Sequence, residues 1–174
     1  MRNSLPKKYY KNIESIDYDL LKKNNIKCLI FDLDNTISPT DKNVVSKEKV
    51  QLFKKINKEF IIYILSNNNH KTRLDEVSNI IGVKYISFAL KPLSKGFRKI
   101  KKLENIKYNE MCVIGDQIVT DIIGGNRLGI LTILVDPIGE DLKITSVNRK
   151  IEKVIIKNLK KKGLFKKGDY YEWR

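Results

Sequence analysis

Two aspartates close a short apolar run in the segment CLIFDLDNT, where Asp32 and Asp34 follow Cys28 to Phe31. A carboxylate at the end of a buried strand is costly unless a partner neutralises it. Polar groups recur at equivalent places: Ser66 with Asn67, Asn68 and Asn69 after FIIYIL, Lys91 after YISFAL, Gly115 with Asp116 after MCVI, and Asp121 shortly beyond. Several carboxylates at one rim repel one another. A divalent cation such as Mg2+, which prefers carboxylate oxygens, water and phosphate, relieves that repulsion. A small hydroxyl at Ser66 and the Lys91 ammonium suit phosphoryl oxygens, and a free carboxylate can attack phosphorus. The chemistry implied is Mg2+-assisted phosphoryl transfer from a phosphorylated substrate.

These residues meet only if the strand ends share one edge. Short apolar, β-prone runs at 27–32, 60–66, 84–89, 110–116 and 130–136 alternate with helical patterns at 46–57, 70–81, 94–105 and 118–129. In the first of these helices Val50, Phe53 and Ile56 fall at helical spacing, with lysines opposite. Near-continuous apolar strands are buried on both faces, which predicts an α/β fold: a five-stranded parallel sheet in three layers. Gly82 and Gly129 read as helix C-terminal glycines. Ligands of such sheets bind beyond the carboxyl ends of the strands, where the polar groups above collect.

At 174 residues the chain reads as one domain, with a core over about 26–140 and a basic C-terminal helix and tail over about 146–174. In that last segment Ile151, Val154, Ile155 and Leu159 form an apolar stripe, and nine of residues 149–167 are Lys or Arg. Such a helix can pack on the sheet or dock on an anionic lipid surface. The formal charge of +15, from 35 Lys and Arg against 20 Asp and Glu, attracts phosphates, nucleic acids and anionic membranes. The abundance of Lys, Asn and Ile is also what an AT-rich coding sequence produces. Cys28 and Cys112 sit apart in apolar runs, as small hydrophobes in a reducing compartment. There is no signal-like leader and no run near the roughly 20 apolar residues of a membrane span, so the expected location is cytoplasmic, with any membrane contact peripheral.

In their order and spacing the motifs carry a resemblance. FDLDNT, with Thr36 as its last residue, fits DxDx[TV]; ILSN, the isolated Lys91 and GDQIVTD complete a set that resembles the haloacid dehalogenase (HAD) superfamily. The flanking stretches SIDYDLLKKNNIKCLIFDLDNT, LSNN, FALKP and GDQIVTDIIGGNRLG are similar to the bacterial YqeG family of HAD phosphatases, itself similar to mitochondrial phosphatidylglycerophosphate phosphatases. The resemblance implies a Rossmann-like HAD fold and an aspartyl-phosphate mechanism. By it, Asp32 is the nucleophile and Asp34 the general acid and base. Mg2+ is held by Asp32, the Asp34 backbone carbonyl and Asp116. Ser66 and Lys91 bind the phosphoryl oxygens with Asn67 close by, and Asp121 orients Lys91 or a metal-bound water. Thr36 and Gly115 are supporting positions.

About 25 residues separate Asp34 from the second strand, and about 25 separate Ser66 from Lys91, too few for an inserted cap domain. Caps usually enclose small substrates, so a capless rim suits a substrate that brings its own bulk. A membrane lipid headgroup is the expected substrate, and the family resemblance puts phosphatidylglycerophosphate foremost. A nucleic-acid end phosphatase is the rival enzyme, disfavoured because no RNA or DNA module is evident; a non-catalytic RNA- or ribosome-associated binder is the rival of another class. His70 reads as a surface or helix-cap residue and Asp136 as a turn cap.

Overall fold

The computed structural model describes residues 2–40, 42–139 and 147–171. Six parallel strands form its sheet: β1 (Lys8–Tyr10), β2 (Cys28–Phe31), β3 (Ile61–Leu65), β4 (Lys84–Ile86), β5 (Met111–Gly115) and β6 (Leu131–Val135), in the order β1-β6-β5-β2-β3-β4. The helices are α1 (Tyr18–Lys23), α2 (Lys47–Ile56), α3 (Lys71–Ile81), α4 (Lys95–Glu104), α5 (Ile123–Asn126) and α6 (Val147–Lys161).

Local chemistry sets the helix ends. Asp17 and Ser46 cap α1 and α2 by accepting from the backbone N–H of Leu20 and Lys49. Gly82 ends α3 at φ 68°, a left-handed conformation that leads directly into β4.

Strand residues alternate between two cores. Leu29, Phe31, Ile62, Ile64, Cys112 and Ile114 face Phe53, Leu74 and Val77 of α2 and α3. Cys28, Ile30, Tyr63, Leu65, Met111 and Val113 face Phe97 and Ile100 of α4. The result is three layers, with β2 at the centre between β3 and β5. Among the described residues no cap domain interrupts the alternation of strand and helix.

The sheet has one strand more than the five expected. β1 is only three residues long, and Lys8 breaks its apolar run, so it carries no strand signal of its own; Lys8 is nonetheless buried. Its register on β6 runs from Lys8 opposite Ile133 to Tyr10 opposite Val135, and on its other side Tyr9 exchanges both backbone hydrogen bonds with Tyr171.

Two other elements differ in extent. The strand expected over 84–89 stops at Ile86, and Phe88 and Leu90 adopt φ of 50° and 57° as the chain leaves the sheet. The helix expected over 118–129 is a π-helical turn, Ile118–Ile122, followed by the short α5.

The C-terminal helix packs on the fold. Leu159, with Ile155 and Ile156 beside it, meets Tyr9, Ile118, Ile122, Leu134 and Phe165. Ile151 and Val154 of the anticipated stripe are instead 45% and 59% exposed. Of the basic segment expected over 146–174, residues 146 and 172–174 lie outside the described residues, as do 140–145 before it. Among the described residues no helix is long and apolar enough to cross a membrane.

Candidate active site

Strand register brings the polar groups to one level. Phe31 stands opposite Ile64 on one side and Ile114 on the other, so Asp32, Ser66 and Asp116 follow at the same carboxyl edge. Asp32 extends the ladder once more by donating its N–H to the Ile114 carbonyl at 2.9 Å. The chain then reverses at Asn35, whose φ of 59° is one that asparagine tolerates well. Asn35 donates its N–H to the Ser38 carbonyl at 2.8 Å and accepts from Ile138 N–H at 2.8 Å, which fixes the loop carrying Asp34 and Thr36.

Lys91 lies at the centre of the cluster. Its Nζ donates to Asp32 Oδ1 at 2.5 Å and to Asp121 Oδ1 at 2.7 Å, and its side chain is only 2% exposed. Burial alone would depress the ammonium, but the carboxylates of Asp121 and Asp32 more than offset it and hold its pKa well above lysine's ordinary value. Burial pushes the Asp121 carboxyl up to about 6, with the Lys91 ammonium pulling it down only in part.

The other Asp121 oxygen accepts from Gln117 N–H at 3.3 Å and from the Thr120 hydroxyl at 3.2 Å. Gly115 leaves room for this arrangement, since a Cβ there would lie 2.3 Å from Asp121 Oδ2. Thr36 donates its hydroxyl to Asp116 Oδ1 at 3.5 Å. Carboxylate oxygens of Asp32, Asp116 and Asp121 lie within 4.8 Å of one another, a donor set that fits a hard divalent cation.

Asp34 points elsewhere. Its Oδ1 accepts from Arg73 Nη1, in the first turn of α3, at 2.5 Å. Burial and the Asp32 charge hold its carboxyl above the ordinary range, against the pull of Arg73. The same guanidinium donates to the carbonyls of Pro39, at 2.7 Å, and Lys42, at 3.3 Å, tying α3 to the loop after Asp34.

Ser66 is buried and accepts from Asn68 N–H at 3.0 Å. Asn67, expected near the phosphate, directs its side-chain amide at the Lys91 backbone: Nδ2 donates to the carbonyl at 2.9 Å, and Oδ1 accepts from the N–H at 2.6 Å. His70 is exposed at the start of α3.

With this geometry in place, comparison with known proteins is decisive. The family described as mitochondrial PGP phosphatase matches residues 1–139. The chain belongs to that family.

The probable phosphatase YqeG of Bacillus subtilis is 37% identical over 160 residues, covering 91% of this chain and 93% of the relative. Phosphatidylglycerophosphate phosphatase 1, chloroplastic/mitochondrial, of Arabidopsis thaliana is 26% identical over 171 residues, covering 92% of this chain and 49% of the relative. This chain therefore spans about half the length of the plant protein.

Solved structures that share the fold include two phosphatase or hydrolase chains with metal bound. One is the magnesium-bound putative HAD-hydrolase YfnB of Bacillus subtilis, with TM-score 0.54, 12% identity, and coverage of 63% of this chain and 86% of that one. The other is the cobalt-bound deoxy-D-mannose-octulosonate 8-phosphate phosphatase of Haemophilus influenzae, with TM-score 0.51, 16% identity, and coverage of 83% of this chain and 95% of that one. The protein is a phosphatase similar to YqeG, on the fold of the HAD hydrolases.

In this phosphatase several residues around the cluster escape sequence reading. Arg73 lies within a helical pattern rich in polar residues, and its only signal is its place just after the SNNN loop. Glu152, on α6, accepts from the N–H of Ile118, the first residue of the π turn after Asp116. It is separated from that turn by 34 residues, a distance that no local pattern spans. Asp136 accepts from the Tyr9 hydroxyl at 2.5 Å and the Tyr170 hydroxyl at 2.6 Å, so it joins both ends of the chain to β6 beyond any turn-capping duty.

Proposed function

We propose that this phosphatase hydrolyses phosphomonoesters through an aspartyl phosphate on Asp32, and that its substrate is phosphatidylglycerophosphate. One observation carries the mechanism: the Lys91 ammonium lies between Asp32 and Asp121 with Asp116 close by, a preorganised cationic point among carboxylates. A phosphoryl group entering there meets a nucleophile, a neutralising cation and the Ser66 hydroxyl at one edge.

The carboxylate of Asp32 attacks phosphorus as the ester P–O bond breaks, and Asp34 gives its proton to the departing alkoxide. Water then attacks the phosphorus of the acyl phosphate, Asp34 takes its proton, and inorganic phosphate leaves with Asp32 restored. Asp32 and Asp116, with Asp121 behind them, would hold Mg2+. When bound, it neutralises charge on the transferring phosphoryl oxygens. Asn67 fixes the Lys91 backbone, so that cation needs no reorganisation when charge develops.

Three features support a lipid headgroup as substrate. They are the absence of a cap, the net charge of +15 and the likeness to a plant protein named for phosphatidylglycerophosphate. Each basic residue near an anionic leaflet contributes about 1 kcal/mol to association. Contact would be peripheral, on a cytoplasmic membrane face.

The test is phosphate release from a panel of lipid, nucleotide, polynucleotide-end and sugar phosphates, with and without Mg2+. The lipid is expected to turn over fastest, in an Mg2+-dependent reaction that Asp32→Asn abolishes. Equal release by wild type and Asp32→Asn would falsify the mechanism. Preference for a polynucleotide end would move the substrate to nucleic acid, and RNA binding without turnover on any substrate would leave a binding protein.

A further inference from the structure

A cavity of about 230 Å³ opens beside Asp116, between α6 and the carboxyl end of β6. Ile118, Leu134, Ile156 and Phe165 give it apolar walls, and the carboxylates of Asp116, Asp136 and Glu152 line it as well. Lys153, on α6, and Lys167, beyond that helix, also line it. We infer that this cavity receives the leaving alcohol of the substrate, and that Lys153 and Lys167 bind a second phosphate carried on that alcohol. The inference rests on the hydrolytic reading above.

Position comes first. The cavity shares Asp116 with the carboxylate cluster, so a phosphomonoester seated at Lys91 can extend its alcohol into this space. Size comes second. Pockets for drug-sized ligands run to roughly 300–1,000 Å³, and this one is smaller. It suits a compact polyol headgroup and leaves any acyl chains outside.

Charge decides the rest. The three carboxylates that line it each have a donor: Asp116 accepts from the Thr36 hydroxyl, Asp136 from the hydroxyls of Tyr9 and Tyr170, and Glu152 from the Ile118 N–H. Lys153 and Lys167 are exposed and take part in no ion pair among the described residues. Two exposed ammonium groups lining a small cavity next to a phosphoryl site match an anion at the far end of the alcohol. In a phosphatidyl headgroup that anion is the phosphodiester.

The experiment measures kcat/KM with Mg2+ for wild type, Lys153→Gln, Lys167→Gln and the double variant on three probes. These are p-nitrophenyl phosphate, dihexanoyl phosphatidylglycerophosphate below its micelle concentration, and the dioleoyl form in phosphatidylcholine vesicles. A partly solvated charge contact worth about 1 kcal/mol corresponds to about fivefold per lysine, or roughly 25-fold for the double variant. That loss is expected on both lipid probes, mainly in KM, with p-nitrophenyl phosphate changed less than about twofold.

An equal loss on p-nitrophenyl phosphate overturns the inference, as does no loss on either lipid. Loss confined to vesicles also overturns it, since the lysines would then read the membrane surface and not the headgroup. Ile156→Trp, which fills the cavity, should repeat the pattern; unchanged lipid turnover in that variant counts against the cavity. If wild type turns over none of the probes, the hydrolytic reading fails. If it turns over p-nitrophenyl phosphate and neither lipid, that reading stands and the inference fails.

Discussion

The guanidinium of Arg73 lies 2.5 Å from the carboxylate of Asp34 and also holds the Pro39 and Lys42 carbonyls. One side chain thus fixes both the proposed proton donor and the loop that follows it. A lysine retains the charge without the planar fork. Arg73→Lys is expected to slow alkyl phosphates, whose alkoxides need a proton, by tenfold or more, a fraction of the roughly 10²–10⁴ that a positioned acid supplies. It should slow p-nitrophenyl phosphate much less. A uniform loss on both esters would show that Arg73 only holds the fold.

Gly115 has no room for a side chain, because a Cβ would lie 2.3 Å from Asp121 Oδ2. Gly115→Ala must push Asp121 away from Lys91, at a cost of about 1–3 kcal/mol for overpacking a buried site. Urea denaturation should show that loss, together with lower activity. A midpoint equal to wild type would mean that the edge is softer than its packing suggests.

Metal binding can be read without turnover. If Asp32, Asp116 and Asp121 hold Mg2+, the ion stabilises the folded chain by mass action. The gain is about 1.4 kcal/mol at ten times its dissociation constant and about 2.7 kcal/mol at a hundred times. Thermal denaturation with increasing Mg2+ should show a rising midpoint in wild type and a flat one in Asp116→Asn. Parallel curves for the two proteins would remove Asp116 from the ligand set.

The two thiols predict an alkaline limit. Burial raises the Cys28 thiol from 9.0 to about 12 and pushes the Cys112 thiol up as well. Above pH 9 the unfolded chain releases these protons while the folded chain keeps them. Their contribution is therefore full below pH 9 and is lost as pH rises toward the folded values. Each thiol adds a slope of up to about 1.4 kcal/mol per pH unit. Stability measured from pH 8 to 11 should fall less steeply in Cys28→Ala than in wild type, even though the variant starts lower. Identical slopes would count against a thiol origin.

Much of the architecture was legible because buried parallel strands have few ways to look. The runs that became β2, β3, β5 and β6 are nearly continuous in Ile, Leu and Val, and Asp32, Ser66 and Asp116 each follow one. β1 was hidden because it is three residues long, begins with a lysine and is fixed by β6 and Tyr171, far away in sequence. β4 ended early because left-handed φ at Phe88 and Leu90 is not a conformation those side chains advertise. The amide of Asn67 looked like a phosphate ligand, since pattern alone does not say whether a side chain turns outward or back onto a neighbouring loop. In sequence, Ile151, Val154, Ile155 and Leu159 of α6 read as one face. The helix buries Leu159 most deeply and leaves Ile151 and Val154 in solvent, a rotation set by where Phe165 and Tyr9 offer contact.

The exchange between Tyr9 and Tyr171 acts as a latch on an otherwise open border. Tyr9 donates its N–H to the Tyr171 carbonyl at 2.7 Å, and Tyr171 returns the bond at 3.0 Å. An unlatched β1 would present unpaired N–H and C=O groups along its outer side, a template onto which another chain can add a strand. Shortening the protein to end before residue 171 should therefore favour self-association. In this respect the backbone at position 171, whatever its side chain, closes the sheet's border at Tyr9 to strand addition.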